Sequence, residues 1–324
     1  MVAPVVLIAF NRPEQTRRTL DAIRQAAPDD LYLIVDAPRA NRPDDVEPCA
    51  AVRAELENID WGCRVHRRYA ESNLGSAANI ELGLDWVFSQ ASSAIILEDD
   101  CLADPTFFRF CTELLDRYAD DDRIAYIGGA APEVPADVFE GASYAFTAFA
   151  SIWGWATWQR AWQAHREVYP RTHAGGDHTS IRTEPIDWSN TLLQSPAGVR
   201  FFRSAGETMD KKTATWAIHW CISVIAHRSL SITAASVLVK NIGFGDAGTN
   251  TRTTREMAEA RALTFPLVHP EEIVLNEHIE LAYEKVVTRE LGLISRIARK
   301  ILPAGPVRKL AQTIHYRRMS KPDR

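Results

Sequence analysis

Three apolar runs, each closing on polar residues, constrain this chain more than anything else in it. Pro4 to Phe10 ends at Asn11-Arg12-Pro13, Leu31 to Val35 ends at Asp36, and Ala94 to Leu97 ends at Glu98-Asp99-Asp100. None of them alternates apolar with polar residues. A short, continuous apolar run is the pattern of a strand buried on both faces of a parallel sheet. Between them lie stretches with helical character, Glu14 to Ala26 behind Pro13, Asp45 to Asn58, and Ser76 to Ser89 after Asn73-Leu74-Gly75. Cys63 to Tyr69 is shorter and more polar, a strand nearer an edge. Strand and helix in this rhythm predict an α/β fold built on a doubly wound, mostly parallel sheet.

In such a sheet the parallel strands end along one edge, and ligands bind in the crevice there. Asn11 and Arg12, Asp36, Asn73 and the acidic triplet all fall at those ends. Three adjacent carboxylates repel one another and lose hydration unless a cation sits among them. A hard divalent ion carrying a diphosphate would supply one. The alternative is a solvated loop, but polar groups at four strand ends together favour a binding site. Asp120-Asp121-Asp122 follows the amphipathic helix Thr106 to Tyr118 rather than a buried strand, and reads as a solvated turn before the strand Ile124 to Gly129.

From about Ala130 the texture changes. Trp153, Trp155, Trp158 and Trp162 lie within ten residues, a core cluster with one or two rings left to stack on a ligand. His165 to Ile186 reads as a long loop of the kind that forms lids; His173, Asp177 and His178 in it lack metal-site spacing. Met209 opens an apolar helix running to His227, Ile232 to Val239 is a strand, and Lys240 to Thr251 carries three glycines whose amides could approach an anion. The net charge of −5 gives no pull toward nucleic acid. It hides a basic tail: from Arg289 on, ten Lys/Arg face Glu290 and Asp323, a net of +8 that leaves −13 for the preceding residues. With Leu293, Ile297, Val307, Leu310 and Ile314 among the basic residues, this tail is either an amphipathic element for an anionic membrane surface or a terminal helix docked on its own domain. Five scattered cysteines read as reduced thiols of a cytoplasmic protein, and neither a secretory leader nor a transmembrane stretch is expected.

Taken in order, these residues resemble the GT-A fold nucleotide-sugar glycosyltransferases, the N-acetylglucosaminyltransferase I-like group and its bacterial relatives of surface-polysaccharide synthesis. The resemblance rests on Asn11-Arg12-Pro13, Asp36, Asn73-Leu74-Gly75 with Asn79, Leu97-Glu98-Asp99-Asp100, Trp153-Gly154-Trp155-Ala156-Thr157-Trp158 and Asn241-Ile242-Gly243-Phe244-Gly245. It implies a Rossmann-like αβα three-layer fold with a nucleotide-sugar half (1–129), an acceptor and catalytic half (130–288) and the basic tail (289–324). It further implies transfer from a nucleotide-diphosphate sugar, UDP-linked for preference, to a glycan or glycolipid acceptor, with Mn²⁺ or Mg²⁺ and inversion at the sugar. Phe10, Asn11, Arg12, Asp36, Asn73, Gly75, Asn79, Glu98 and Asp99 would line the donor, Asp36 reading the base, and Asp100 would bind the metal. Relatives carry Trp-Asp where this chain has Trp216-Ala217, so the general base falls to Asp210 or, second, His219. A sugar nucleotidyltransferase would open with a Gly-rich loop where Asn11-Arg12-Pro13-Glu14 stands; an inactive nucleotide- or carbohydrate-binding module of the same fold is the remaining alternative.

Overall fold

A computed structural model describes residues 1–130, 134–170, 185–193, 195–209, 216–243 and 259–285. The elements run β1 (Val5–Ala9), α1 (Pro13–Ala26), β2 (Asp30–Val35), α2 (Val46–Glu57), β3 (Arg64–Tyr69), α3 (Ser76–Phe88), β4 (Ser93–Glu98), β5 (Cys101–Ala103) and α4 (Pro105–Arg117). They continue with β6 (Ile124–Gly128), β7 (Tyr144–Thr147), β8 (Trp155–Trp158), α5 (Gln159–Val168), α6 (Pro196–Met209), α7 (Trp216–Ala226), β9 (Leu230–Ala234) and β10 (Val239–Asn241). A further helix covers 277–285.

Eight strands form one sheet in the order β3-β2-β1-β4-β8-β6-β9-β7, and β5 pairs with β10 in a separate two-stranded ribbon. The β3-β2, β2-β1, β1-β4 and β6-β9 pairs are parallel, whereas β8 is antiparallel to both its neighbours and β7 to β9. β1 and β4 read as unbroken apolar runs because helices cover both faces. Leu20 and Ile23 of α1, Val52 and Leu56 of α2 and the Phe-rich side of α4 pack on one face with Leu7, Leu33 and Leu97. On the other, Ile80 and Leu84 of α3, Trp162 of α5 and Trp216 and Trp220 of α7 pack with Ile8, Ile34 and Ile96. The mixed α/β architecture is the expected one, with β3 at the edge.

Several elements differ from the sequence reading. Trp155–Trp158 is a four-residue strand with every residue buried, so it shows no alternation to betray it. It is inserted between β4 and β6. Trp155 stacks on Tyr126 at 5.8 Å and on Trp216 at 5.7 Å, and Trp162 on Trp220 at 5.5 Å. These rings are core, and of the four clustered tryptophans only Trp153 is partly exposed. The stretch from His165 begins inside α5 rather than as a loop, and α6, which ends at Met209, appears where no helix was expected; the expected helix toward His227 is described from Trp216 on, as α7. The Ile232–Val239 strand is two strands. Ala234 ends β9, and Leu238 donates its N–H to the Gly129 carbonyl (2.8 Å) as the chain turns to meet β5. Residues 171–184, Asp210, 244–258 and the tail beyond 285 lie outside the described residues.

Candidate functional site

The chain leaves β1 toward β2 through a helix on one face and reaches β4 through α3 on the other, so the strand order reverses between β1 and β4. Ligand crevices of open α/β sheets form at such a switch point, beyond the strand carboxyl ends. Here that position brings together Phe10 to Arg12 after β1 and Glu98 to Asp100 at the end of β4.

Asp36 follows β2 and is 4% exposed. Its Oδ1 accepts from the Ala37 and Leu74 backbone N–H groups (2.8 and 2.9 Å), its Oδ2 from Gly75 N–H and Asn73 Nδ2 (3.0 and 3.1 Å). Burial raises its pKa while the Leu74, Ala37 and Gly75 amides act the other way. The carboxylate expected to read a base is thus a fastener joining the end of β2 to the turn before α3. Gly75, at φ +78°, supplies the left-handed backbone that turn needs. Asn79, one turn into α3, is buried and accepts from Arg68 Nη1 at 3.0 Å.

A second fastener escaped the sequence reading, which took Asp45 only as the start of a helix. Asp45 accepts from Nε and Nη2 on one edge of the Arg39 guanidinium (2.5 and 2.7 Å), and its Oδ1 also accepts from Asn11 Nδ2 at 2.9 Å. The Arg39 hydrogen bonds hold the Asp45 carboxyl down at about 2. Arg39 lies 5.5 Å from the Phe10 ring centre, so the loop after β2 is tied to the end of β1. The only legible signal was an acid six residues past an Arg in a Pro-rich loop.

At the acidic turn, Asp99 accepts from the Phe10 N–H (3.3 Å) at its side chain and from Thr19 Oγ1 (2.9 Å) at its carbonyl. Arg12 Nη1 donates to Asp100 Oδ2 at 2.8 Å and lies 3.6 Å from Asp99 Oδ1. Burial first, then the neighbouring carboxylates, push Glu98 up to about 8 and Asp99 up to about 7, against the opposing charge of Arg12. The β5-β10 ribbon folds the glycine-bearing segment back onto this turn. Ile242 N–H donates to the Asp100 carbonyl (2.8 Å), Asn241 Nδ2 to Asp100 Oδ1 (3.3 Å), and Gly243 N–H to Asn241 Oδ1 (2.8 Å). Asp100, expected to bind a metal, is therefore ringed by donors, and among the described residues no group of three His, Cys, Asp or Glu is placed to hold one. A divalent ion does not fit this arrangement.

His219 is not at this turn. It is 2% exposed on α7, stacked on Tyr169 at 4.3 Å, with Nδ1 3.3 Å from Glu81 Oε1. Glu81 and Asp85 of α3 both pair with Arg166 of α5 (3.0 and 2.8 Å), and His165 Nδ1 lies 2.7 Å from Ser223 Oγ. This is a polar seam stitching α3, α5 and α7. Burial there drives the His165 pKa from 6.5 down to about 3. The unfolded chain therefore binds a proton near pH 6.5 that the folded chain refuses, so His165 removes stability as pH falls below that value, by about 1.4 kcal/mol per unit. Glu98 and Asp99 act with the opposite sign. The readout is accordingly a difference: urea melts of wild type and His165→Gln are expected to converge by about 2 kcal/mol between pH 7 and pH 5. A constant difference would show that His165 takes up its proton in the fold as readily as in the unfolded chain.

No family model matches the chain, and no curated protein matches it in sequence. Among solved structures it is similar to a mannosyltransferase from Pyrobaculum calidifontis in complex with GDP-Man and Mn²⁺, at 15% identity and a TM-score of 0.36, over 69% of this chain and 74% of that one. It is similar to a UDP-glucose pyrophosphorylase complexed with UDP-glucose at 10% identity and 0.32, over 55% and 83%. A third likeness is to a CMP:2-keto-3-deoxy-manno-octonic acid synthetase complexed with CTP, at 13% and 0.31, over 53% and 80%. Likeness this distant is one of α/β architecture and assigns no activity. Among the described residues no helix is long and apolar enough to cross a membrane.

Proposed function

We propose that this chain transfers a sugar from a nucleoside-diphosphate sugar to a glycan or glycolipid acceptor, in the synthesis of a surface polysaccharide. The observation that carries the reading is the meeting of Arg12, the acidic turn and the Asn241–Gly243 segment that ends β10 at the switch point between β1 and β4. A cation, three carboxyls and a close-lying backbone there suit a donor with a diphosphate and a hydroxylated ring. Asn73, Gly75 and Asn79, braced by Asp36 and Arg68, form the adjoining wall. Because Asp36 is saturated internally, it is not assigned to the base, and UDP and GDP stand as equal candidates.

In the inverting form of the reaction, an acceptor hydroxyl attacks C1 of the donor sugar and gives its proton to a base. The C1–O bond to the diphosphate breaks, and the nucleoside diphosphate leaves with the electron pair. Arg12 lies where that negative charge develops. Glu98 and Asp99 orient sugar hydroxyls. Asp210 is the base this reading names; His219, held in the α7 seam, is left out.

The test is a thermal-shift panel of UDP, GDP and their sugars, followed by release of nucleoside diphosphate with and without acceptor glycans. A ligand at 100 times its Kd adds about 2.7 kcal/mol to the native state, a shift readily seen. One nucleoside diphosphate is expected to bind and its sugar to turn over. Binding without turnover would leave a sugar-nucleotide-binding module, and no binding by any of them would sink the reading.

A further inference from the structure

Both oxygens of Asp100 are engaged by donors in the described structure, although the Glu98 and Asp99 carboxyls stand near enough for its charge to disfavour theirs. Arg12 Nη1 takes Oδ2, Asn241 Nδ2 takes Oδ1, the Cys101 thiol lies 3.7 Å from Oδ1, and Ile242 N–H takes the carbonyl. The orientation of the Asn241 amide is settled independently, because its oxygen is fixed by Gly243 N–H and its NH₂ must then face the carboxylate. The Gly243 backbone closes the same side: a Cβ there would stand 2.1 Å from Asp100 Oδ2. A Mg²⁺ or Mn²⁺ site needs several oxygen acceptors converging on one point, and here the point faced by Asp99 Oδ1 and Asp100 Oδ2 is taken by Arg12 Nη1, at 3.6 and 2.8 Å.

Arg12 is itself fixed in place. Its carbonyl accepts both Thr16 N–H (2.9 Å) and Thr16 Oγ1 (2.7 Å), anchoring it at the start of α1 where Pro13 sets the turn. Its side chain is only 17% exposed, and it bridges Asp99 and Asp100. A divalent ion joining Asp100 would have to displace the guanidinium or sit against it as a like charge.

We infer that Arg12 is the resident cation of this site, in the place a divalent metal would otherwise take, so that a nucleoside diphosphate is held without metal. The inference rests on the donor-site reading above. A guanidinium suits the task because it stays charged at all working pH values and matches phosphate oxygens as well as carboxylates.

The experiment has a metal arm and a nucleotide arm, both on the EDTA-treated full chain. In the metal arm, Mn²⁺ alone is titrated and free Mn²⁺ is followed by electron paramagnetic resonance. Wild type is expected to leave Mn²⁺ free, and Arg12→Gln to bind it at least tenfold more tightly, since the freed carboxylates then face a small polar group. Arg12→Lys, which keeps the charge, should behave as wild type and guards against a general loss of structure; circular dichroism checks each variant. In the nucleotide arm, the thermal shift given by UDP or GDP should be the same in EDTA and in Mn²⁺ for wild type, and smaller for Arg12→Gln in EDTA. Wild type binding Mn²⁺ as tightly as Arg12→Gln, or a nucleotide affinity raised tenfold or more by Mn²⁺, would overturn the inference. If no nucleotide binds under either condition, the donor-site reading fails by itself, and the metal arm still decides the place of Arg12.

Discussion

Asp36→Ala is expected to cost about 3 kcal/mol of stability and to lower the melting temperature by several degrees, the largest loss from any single side chain at the strand ends. Three backbone donors lose their acceptor at once, the N–H groups of Ala37, Leu74 and Gly75, and the Asn73 amide keeps only its bond to the Ala37 carbonyl at 2.7 Å. A buried donor left unmatched costs about 1–3 kcal/mol, and the sum is held down because Asn73, Leu74 and Gly75 are partly reached by water. Asp36→Asn separates shape from chemistry. It keeps the volume but can accept at only one of two positions, so an amide NH₂ would face two of the donors. It should lose at least half as much as the alanine. If Asp36 instead reads the nucleobase, both variants should melt as wild type does and lose only ligand affinity. Urea melts of the three proteins, beside their nucleotide titrations, separate the two outcomes.

The residues at the strand ends were legible because buried parallel strands write themselves as unbroken apolar runs, and Phe10, Asp36 and Glu98 stand where those runs stop. Their partners were not. Asp45 reaches Asn11 across 34 positions, and Arg12 reaches Asp100 across 88; neither separation leaves a periodic trace. Asn241–Gly243 was readable as a close-approach segment, but what it approaches is decided by the β5-β10 ribbon, three residues on each side. A strand that short carries no pattern of its own. β8 was hidden for a different reason: its four residues are all buried, and a tryptophan-rich core strand looks the same in sequence as a ring platform for a ligand. His219 shows the limit of residue type as a guide, since the same imidazole that suits a general base also suits a buried seam with Glu81 and Tyr169. Packing, not identity, assigns it.

Gly243→Ala is expected to weaken nucleoside diphosphate binding by at least tenfold and to cost roughly 1–3 kcal/mol of stability, the range for forcing an extra carbon into a filled space. The added Cβ would meet Asp100 Oδ2 at 2.1 Å and both Asp100 Cβ and Cγ at 2.9 Å. Rotation of the carboxylate could relieve only the first of these, and Arg12 and Asn241 hold it from two directions. The backbone of 241–243 must therefore lift, and with it goes the Ile242 N–H bond to the Asp100 carbonyl. Either movement parts Arg12, Asp100 and Asn241, whose meeting defines the site. Gly62→Ala is the matched control, since a Cβ there meets nothing within 4 Å. Isothermal titration of the nucleoside diphosphate into both variants gives the answer. A Gly243→Ala protein that binds as tightly as Gly62→Ala would mean that the ligand does not sense the closure of the β5-β10 ribbon onto Asp100, and that the donor lies elsewhere along the sheet edge.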